Sequence, residues 1–520
     1  HISSKYPHVS RPVISRTRRH AALLLFAFFF LFFLYIYLRF LTSTPEIVKR
    51  GFNNYPFIGA LPDFVKNRHR FLEWTTQVLR DCPTHTAFLA RPGNVLDVLT
   101  ANPHNVEYIL KTNFHNYPKG QKMTSVLQDF LGSGIFNADG HLWKVQRKTA
   151  SYEFNSKSLR NFVMDNVTVE IQTRLLPLLS RASQTRRVLD LQDILERFAF
   201  NNICKLAFNV DPGYLDGDGT TRADLMRAFD DATTLSTERF MYAFPLMFKI
   251  KKWLNVGSER RLRESVAVVH KLADEIIRSI LEVKKSNQDQ DLLSRFIGTE
   301  ESSPEFLRDI VISFILAGRD TTSSGLSWFF WILSSRPDVK REIREELKAI
   351  RSKNGRNKGD GFGYQDLKDM HYLQAAISEA MRLYPPVPVD TRTCWSEEVL
   401  PDGTMIKKDW FITYHTYAMG RMESIWGKDC CEYKPERWIE NGIYKGENPF
   451  RYPVFHAGPR LCLGKQLAYI QMKCVAASVL ALYDIEARHK DECPQHLFCL
   501  TLRMKGGLPV AITQRDLDPN

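Results

Sequence analysis

The sequence predicts a mainly α fold with a small β part, built as one large body. Three observations predict it. Apolar residues recur at helical spacing through most of the stretch from residue 66 to 384. Alternating stretches are few and short, Thr86 to Leu99 and Thr404 to Thr413 being the clearest. No Gly/Ser linker and no internal repeat divides the chain after residue 60, so residues 65–520 read as one domain although 520 residues would suggest about three. A composition of 44% hydrophobic and 25% charged residues fits a globular protein.

From the N-terminus, residues 1–20 form a basic segment, 21–41 a transmembrane anchor and 42–64 a hinge. Ala21 to Leu38 is uncharged, and with Phe40 and Leu41 it reaches the roughly 20 residues that cross a hydrocarbon core. Tyr35 and Tyr37 suit an interface, and no small-residue cleavage site follows. Lys5, Arg11, Arg16, Arg18 and Arg19 before the run would by charge alone place the body in the lumen. The same twenty residues lack acids, as transit peptides do. Gly51 to Gly59 and Pro62 form a loop rich in breakers.

The longest helix is expected from about Pro304 to Ser334, with a capping box of Ser302 and Glu305. Arg308, Asp309, Arg319 and Asp320 leave no uncharged run of 18 residues in it, so it is a core helix rather than a span. Gly318 and the hydroxyls of Thr321 and Thr322 are expected to weaken its ladder locally. Ser335 to Ile350 reads as a charged surface helix with Arg341 paired to Glu345, and Ser352 to Gly363 as an exposed loop. Glu379 and Arg382 share one face of a helix ended by Pro385 and Pro386. Nine scattered cysteines, an odd number, argue for a reducing compartment. The net charge of +13 comes with no nucleic-acid motif, so a membrane surface or an acidic protein partner is expected and nucleic acid is not. No phosphate-binding or nicotinamide glycine loop is present.

Phe455-His456-Ala457-Gly458-Pro459-Arg460-Leu461-Cys462-Leu463-Gly464 has the form F-x-x-G-x-R-x-C-x-G. Five fixed types at fixed offsets arise by chance in about one chain in ten thousand. A thiolate that ligates a metal needs tuning by its surroundings. Gly458 and Gly464 would let backbone N–H groups approach the sulfur, Phe455 would keep water away, and a helix from Leu463 to Leu482 would turn its positive end to Cys462. The run resembles the cysteine-ligand loop of the cytochrome P-450 family. At finer level Phe314 to Thr322, Pro388 to Arg392, Tyr417 to Arg421 and Phe455 to Arg460 resemble plant family 94 of the fatty-acid ω-hydroxylase clan.

The resemblance implies a cytochrome P-450 fold behind one N-terminal transmembrane helix, with Cys462 as axial ligand to the iron of haem b (iron protoporphyrin IX). Asp320 and Thr321 resemble the family's acid–alcohol pair, which delivers protons. Trp143, Arg147 and Arg460 would face haem propionates, with Arg392 a weaker candidate. Glu379, Arg382 and Arg437 would lock the scaffold behind the haem; Trp438 stands where the family more often has Phe. Lys144, Lys148, Lys465 and Lys473 would form a basic docking patch. The implied partners are O2, a separate flavoprotein NADPH–cytochrome reductase and a fatty acyl substrate. Substrate would touch Met123 to Ile135, Phe314, Ala317, Val387 to Thr391 and Leu500 to Leu502. The implied setting is the endoplasmic reticulum membrane, single-pass, with the catalytic body cytosolic. The expected reaction is hydroxylation at a terminal or near-terminal carbon of an acyl chain. A jasmonoyl-isoleucine hydroxylase of the same family, a hydroperoxide-rearranging haem-thiolate enzyme and a non-catalytic haem-binding sensor are the alternatives.

Overall fold

The computed structural model describes residues 25–32, 34–35 and 51–515, apart from 56–57, 93–94, 155–156, 217–222, 243, 245, 285–291, 299–301 and 357–359. Most of the expected anchor and half of the expected hinge lie outside these residues. Among the described residues no helix is long and apolar enough to cross a membrane.

Helices dominate, as the periodicity predicts. The body begins earlier than expected, however. A helix spans Leu61–Asn67, beginning inside the stretch read as hinge, because Pro62 is accepted in a first helical turn. Phe52 is buried edge-on against Trp74 at 5.0 Å, so this stretch already packs on the body. The alternating stretch after Thr86 forms the hairpin Thr86–Arg91 and Val95–Thr100. Val95–Thr100 pairs in parallel with Phe411–Tyr414, which pairs antiparallel with Asp390–Thr393. The second alternating stretch is split, because a turn at Lys407 to Trp410 separates Met405–Ile406 from Phe411–Tyr414.

Pro304–Ser334 is one unbroken helix in the centre of the body. Its cap is Ser303, not Ser302: Pro304 holds the residue before it extended, which is N-cap geometry, and Ser303 Oγ accepts from the Phe306 N–H. Gly318 does not open the ladder. A Cβ there would stand 2.5 Å from Ile203 Cγ1, so the glycine lets the helix Leu191–Phe208 pack closely against it. The charged helix spans Pro337–Lys353, and Arg341 pairs with its neighbour Glu342 rather than Glu345. The loop after it is only partly exposed, since Phe362 is buried with the Arg351 guanidinium 4.6 Å from its ring.

Candidate active site

The cysteine run folds as two short 3-10 turns, Pro453–Phe455 and Gly458–Arg460, followed by the helix Lys465–Leu482. The Cys462 N–H donates to the Phe455 carbonyl at 2.9 Å and closes the loop on itself. The helix starts two residues later than expected, with Gly464 as its cap. The N–H groups of Gly464 and Lys465 therefore both reach the Cys462 sulfur. Burial pushes that thiol up, and these N–H groups, Arg147 and Lys465 oppose the rise. Cys462 is exposed only into an internal cavity whose wall it forms, which is how an accessible sulfur is also desolvated.

Gly458 does different work from that expected, whereas Gly464 brings its N–H to the sulfur without needing the missing Cβ to do so. Gly458 has φ +64, and a Cβ there would sit 1.9 Å from the Leu110 carbonyl oxygen, so it is needed for its own conformation and a close crossing, not for the sulfur. A Cβ at Gly464 would lie 3.9 Å from Cys462 Sγ, an ordinary contact. Phe455 lines the cavity next to the sulfur, with Lys465 Nζ 5.6 Å from its ring.

The cavity holds about 960 Å³ and runs from Cys462 past Thr321 to the Met123 to Ile135 segment. Phe314, Ala317, Val387, Leu500 and Thr501 also line it, as expected; Leu502 does not, because its carbonyl is turned to Ser324 and Trp328. Trp143, Arg147, Arg392 and Arg460 line it as well. Arg460 lies over the Trp143 ring at 4.4 Å and donates to Asp139 at 2.8 Å. Arg392 is fully buried on its strand, paired with Asp390 at 2.9 Å and with His456 Nε2 at 2.7 Å. Burial first, then Arg392, pushes Arg460 down to about 10. Arg147 is lowered by burial and makes no ion pair among the described residues. Arg392 Nε is buried without a partner. This wall carries more positive charge than its acids neutralise, and carboxylates placed against it would relieve that excess. With a sulfur in the adjoining wall, the donor set fits a porphyrin iron with acidic side chains.

Thr321 lines the cavity and its hydroxyl donates to the Ala317 carbonyl at 2.7 Å. Asp320 does not reach the cavity. It is buried behind the helix against Arg319 Nη1 at 2.7 Å, and its Oδ2 has no partner. Burial pushes its carboxyl up, against the pull of Arg319. Arg319 also holds Glu196 at 3.0 Å and Asp230 at 2.6 Å, and Arg503 pairs with both of these acids. Arg319 thus points away from the cavity.

The expected clamp is assembled. Arg382 Nε and Nη2 donate to Glu379 at 2.6 and 2.7 Å, and Arg437 Nε approaches it at 3.4 Å. Trp438 Nε1 donates to Glu379 at 2.9 Å, so the tryptophan adds a bond that a phenylalanine lacks. Lys144, Lys148 and Lys465 are exposed. Lys473 is not part of that patch: it is buried, donates to the Leu367 carbonyl and Gln374, and is pushed down to about 8 by burial. Sequence reasoning missed Lys119, Asp139, Asp390 and His456, which tie the arginine wall together. The local signals were the position of His456 inside the cysteine run and that of Asp390 two residues before Arg392.

A family model described as Cytochrome P450 matches residues 50–506. The chain is 48% identical to "Cytochrome P450 CYP94D108" of Paris polyphylla over 461 residues, covering 88% of this chain and 91% of that one. It is 45% identical to "Cytochrome P450 94A1" of Vicia sativa over 473 residues, 89% and 90% of the two chains. It is 45% identical to "Cytochrome P450 94B3" of Arabidopsis thaliana over 506 residues, 95% and 98% of the two chains.

Proposed function

The chain belongs to the cytochrome P450 family of haem-thiolate monooxygenases, and from that premise we propose that it hydroxylates a terminal or near-terminal carbon of a fatty acyl substrate. Electrons come from NADPH through a separate flavoprotein reductase, and the second oxygen atom of O2 leaves as water. The protein acts at the endoplasmic reticulum membrane, held by residues 21–41, with its body in the cytosol. The observation that carries the acyl reading is the cavity. Its wall between Cys462 and the Met123 to Ile135 segment is mostly apolar, including Val126, Leu127, Leu131, Phe314 and Leu316. Such a wall gains from burying a methylene chain, at roughly 0.8 kcal/mol per CH2.

Haem b fits the site, held by the Cys462 sulfur with its acidic side chains against Arg147, Arg392, Arg460 and Trp143. When bound, it supplies the activation of O2 that side chains lack. The chain's own residues do the rest. The N–H groups of Gly464 and Lys465 and the start of the helix Lys465–Leu482 favour the ionised sulfur against its burial. Thr321 Oγ1 is the proton donor at the cavity wall, and its bond to the Ala317 carbonyl must turn over for it to donate inward. Asp320 reloads Thr321 from behind the helix, with burial favouring its protonated form against the pull of Arg319. The apolar wall excludes water from the substrate chain.

The test expresses the protein with a plant reductase, offers lauric acid, oleic acid and jasmonoyl-isoleucine, and identifies products by mass spectrometry. NADPH-dependent ω- or near-ω-hydroxy fatty acids support the proposal. Turnover of jasmonoyl-isoleucine alone moves the substrate to the hormone conjugate, and turnover of fatty hydroperoxides without NADPH overturns the hydroxylase reading.

A further inference from the structure

The turn that supplies carbonyls to Arg382 also holds two adjacent thiols. Cys430 Sγ and Cys431 Sγ lie 3.9 Å apart. They are the central residues of a turn closed by the Glu432 N–H, which donates to the Asp429 carbonyl at 2.9 Å. Their access differs. Cys431 is exposed, whereas Cys430 is buried and its thiol donates to the Arg421 carbonyl at 3.3 Å. Burial, and after it the neighbouring Cys431, push the Cys430 thiol up. The Cys430 carbonyl belongs to the peptide that joins the two cysteines, and it accepts from Arg382 Nη1 at 2.6 Å. The Glu432 carbonyl, one residue beyond the pair, accepts from Arg382 Nη2 at 2.8 Å.

We propose that Cys430 and Cys431 form a dithiol modification site, which a low-molecular-weight disulfide converts to a disulfide between the two neighbours, and that closing this bridge loosens Arg382 and the retention of haem. The exposed Cys431, as thiolate, attacks one sulfur of oxidised glutathione, and a glutathione thiolate leaves. Cys430 then gives its proton to solvent, its sulfur attacks that of Cys431, and the second glutathione thiolate leaves. The two thiolates take up the two protons that the cysteines released. Two protein thiols are oxidised and one glutathione disulfide is reduced to two thiols. Adjacent Cα atoms stand about 3.8 Å apart, below the roughly 4.4–6.8 Å that a relaxed disulfide spans. Closure therefore twists the peptide between the cysteines, and that peptide's carbonyl is the Arg382 acceptor. Arg382 is buried, so water does not replace an acceptor that turns away. A bridge strained in this way is also readily reduced, which makes the modification reversible.

The test uses the full-length haem-loaded protein in detergent. It is incubated with oxidised glutathione, the remaining thiols are alkylated, and the peptide that contains both cysteines is identified by mass spectrometry. Haem transfer to apomyoglobin and the thermal midpoint are measured on the same sample. The expected result is a disulfide between positions 430 and 431, with haem transfer about tenfold faster, restored by dithiothreitol. Cys431→Ala, which alters only an exposed side chain, should keep the slow transfer after the same treatment. Glutathione retained on Cys431 with Cys430 free overturns the proposal. So does a bridge that leaves haem transfer unchanged, or acceleration of equal size in Cys431→Ala.

Discussion

Replacing Glu379 by glutamine removes one charge from the centre of the scaffold with almost no change of shape. Glu379 accepts from Arg382 Nε and Nη2 at 2.6 and 2.7 Å, from the Lys434 N–H at 3.0 Å and from Trp438 Nε1 at 2.9 Å. Its side chain and that of Arg382 are both fully excluded from solvent. In Glu379→Gln the Arg382 guanidinium keeps its carbonyl acceptors but has no buried anion, and an amide group faces it. A buried charge left without its partner costs about 3–5 kcal/mol. Total stability is of the order of 5–15 kcal/mol, so the variant loses about a fifth of it or more. The exposed Arg341–Glu342 pair, with side chains 69% and 50% accessible, provides the contrast. There Arg341→Ala should change stability by no more than about 0.5 kcal/mol. Both variants are purified, and the thermal midpoint and bound haem per chain are measured. Glu379→Gln should show a midpoint several degrees lower and poor haem content, and Arg341→Ala neither. If Glu379→Gln matches Arg341→Ala in both measurements, the clamp argument is wrong.

Thr321→Ala should lower hydroxylation on the order of 10²-fold with haem content unchanged, as product assays against absorbance would show; an unaffected rate would remove Thr321 from proton delivery. Asp309 gives a pH test: burial pushes its carboxyl up to about 6, against the Ser133 N–H and Arg308. A carboxyl raised in the folded state stabilises at pH below its unfolded value of about 3.9 and loses that contribution as pH rises through 6. Asp309→Asn should therefore become more stable than the parent above pH 6, the gap closing below about 4; thermal midpoints across that range check it, and a gap independent of pH contradicts it. Lys144→Glu with Lys148→Glu should slow reduction by the reductase, with the defect fading at high salt as exposed charges are screened; stopped-flow reduction rates that do not change would discard the docking surface.

What could be read from the sequence was what local spacing encodes. The long helix from Pro304 to Ser334 was legible because serine and proline start it, and the charges inside it exclude a membrane span. The cysteine run was legible because ligand, arginine and glycines lie within ten residues. The Glu379–Arg382 pair was legible because residues three apart share a helix face. Asp320 and Thr321 mark a limit that helix geometry itself sets. Neighbouring positions turn by about 100°, so only one of them, Thr321, faces the cavity. Lys473 was misread because its helix is buried nearly all round, and periodicity cannot tell which side of such a helix meets solvent. Gly458 was assigned to the sulfur because the Leu110 carbonyl that crowds it comes from a distant segment. The same holds for Lys119, Asp139 and His456, and for the Asp390 contacts beyond Arg392, which join residues far apart in the chain.

The bond between the Cys462 sulfur and porphyrin iron underlies the whole account, and carbon monoxide difference spectroscopy on the dithionite-reduced protein probes it directly. The strongly red-shifted Soret band of a thiolate-ligated complex is expected in the parent and absent from Cys462→Ala. A folded, haem-loaded parent that lacks this band, or a Cys462→Ala variant that keeps it, would contradict the assignment of Cys462.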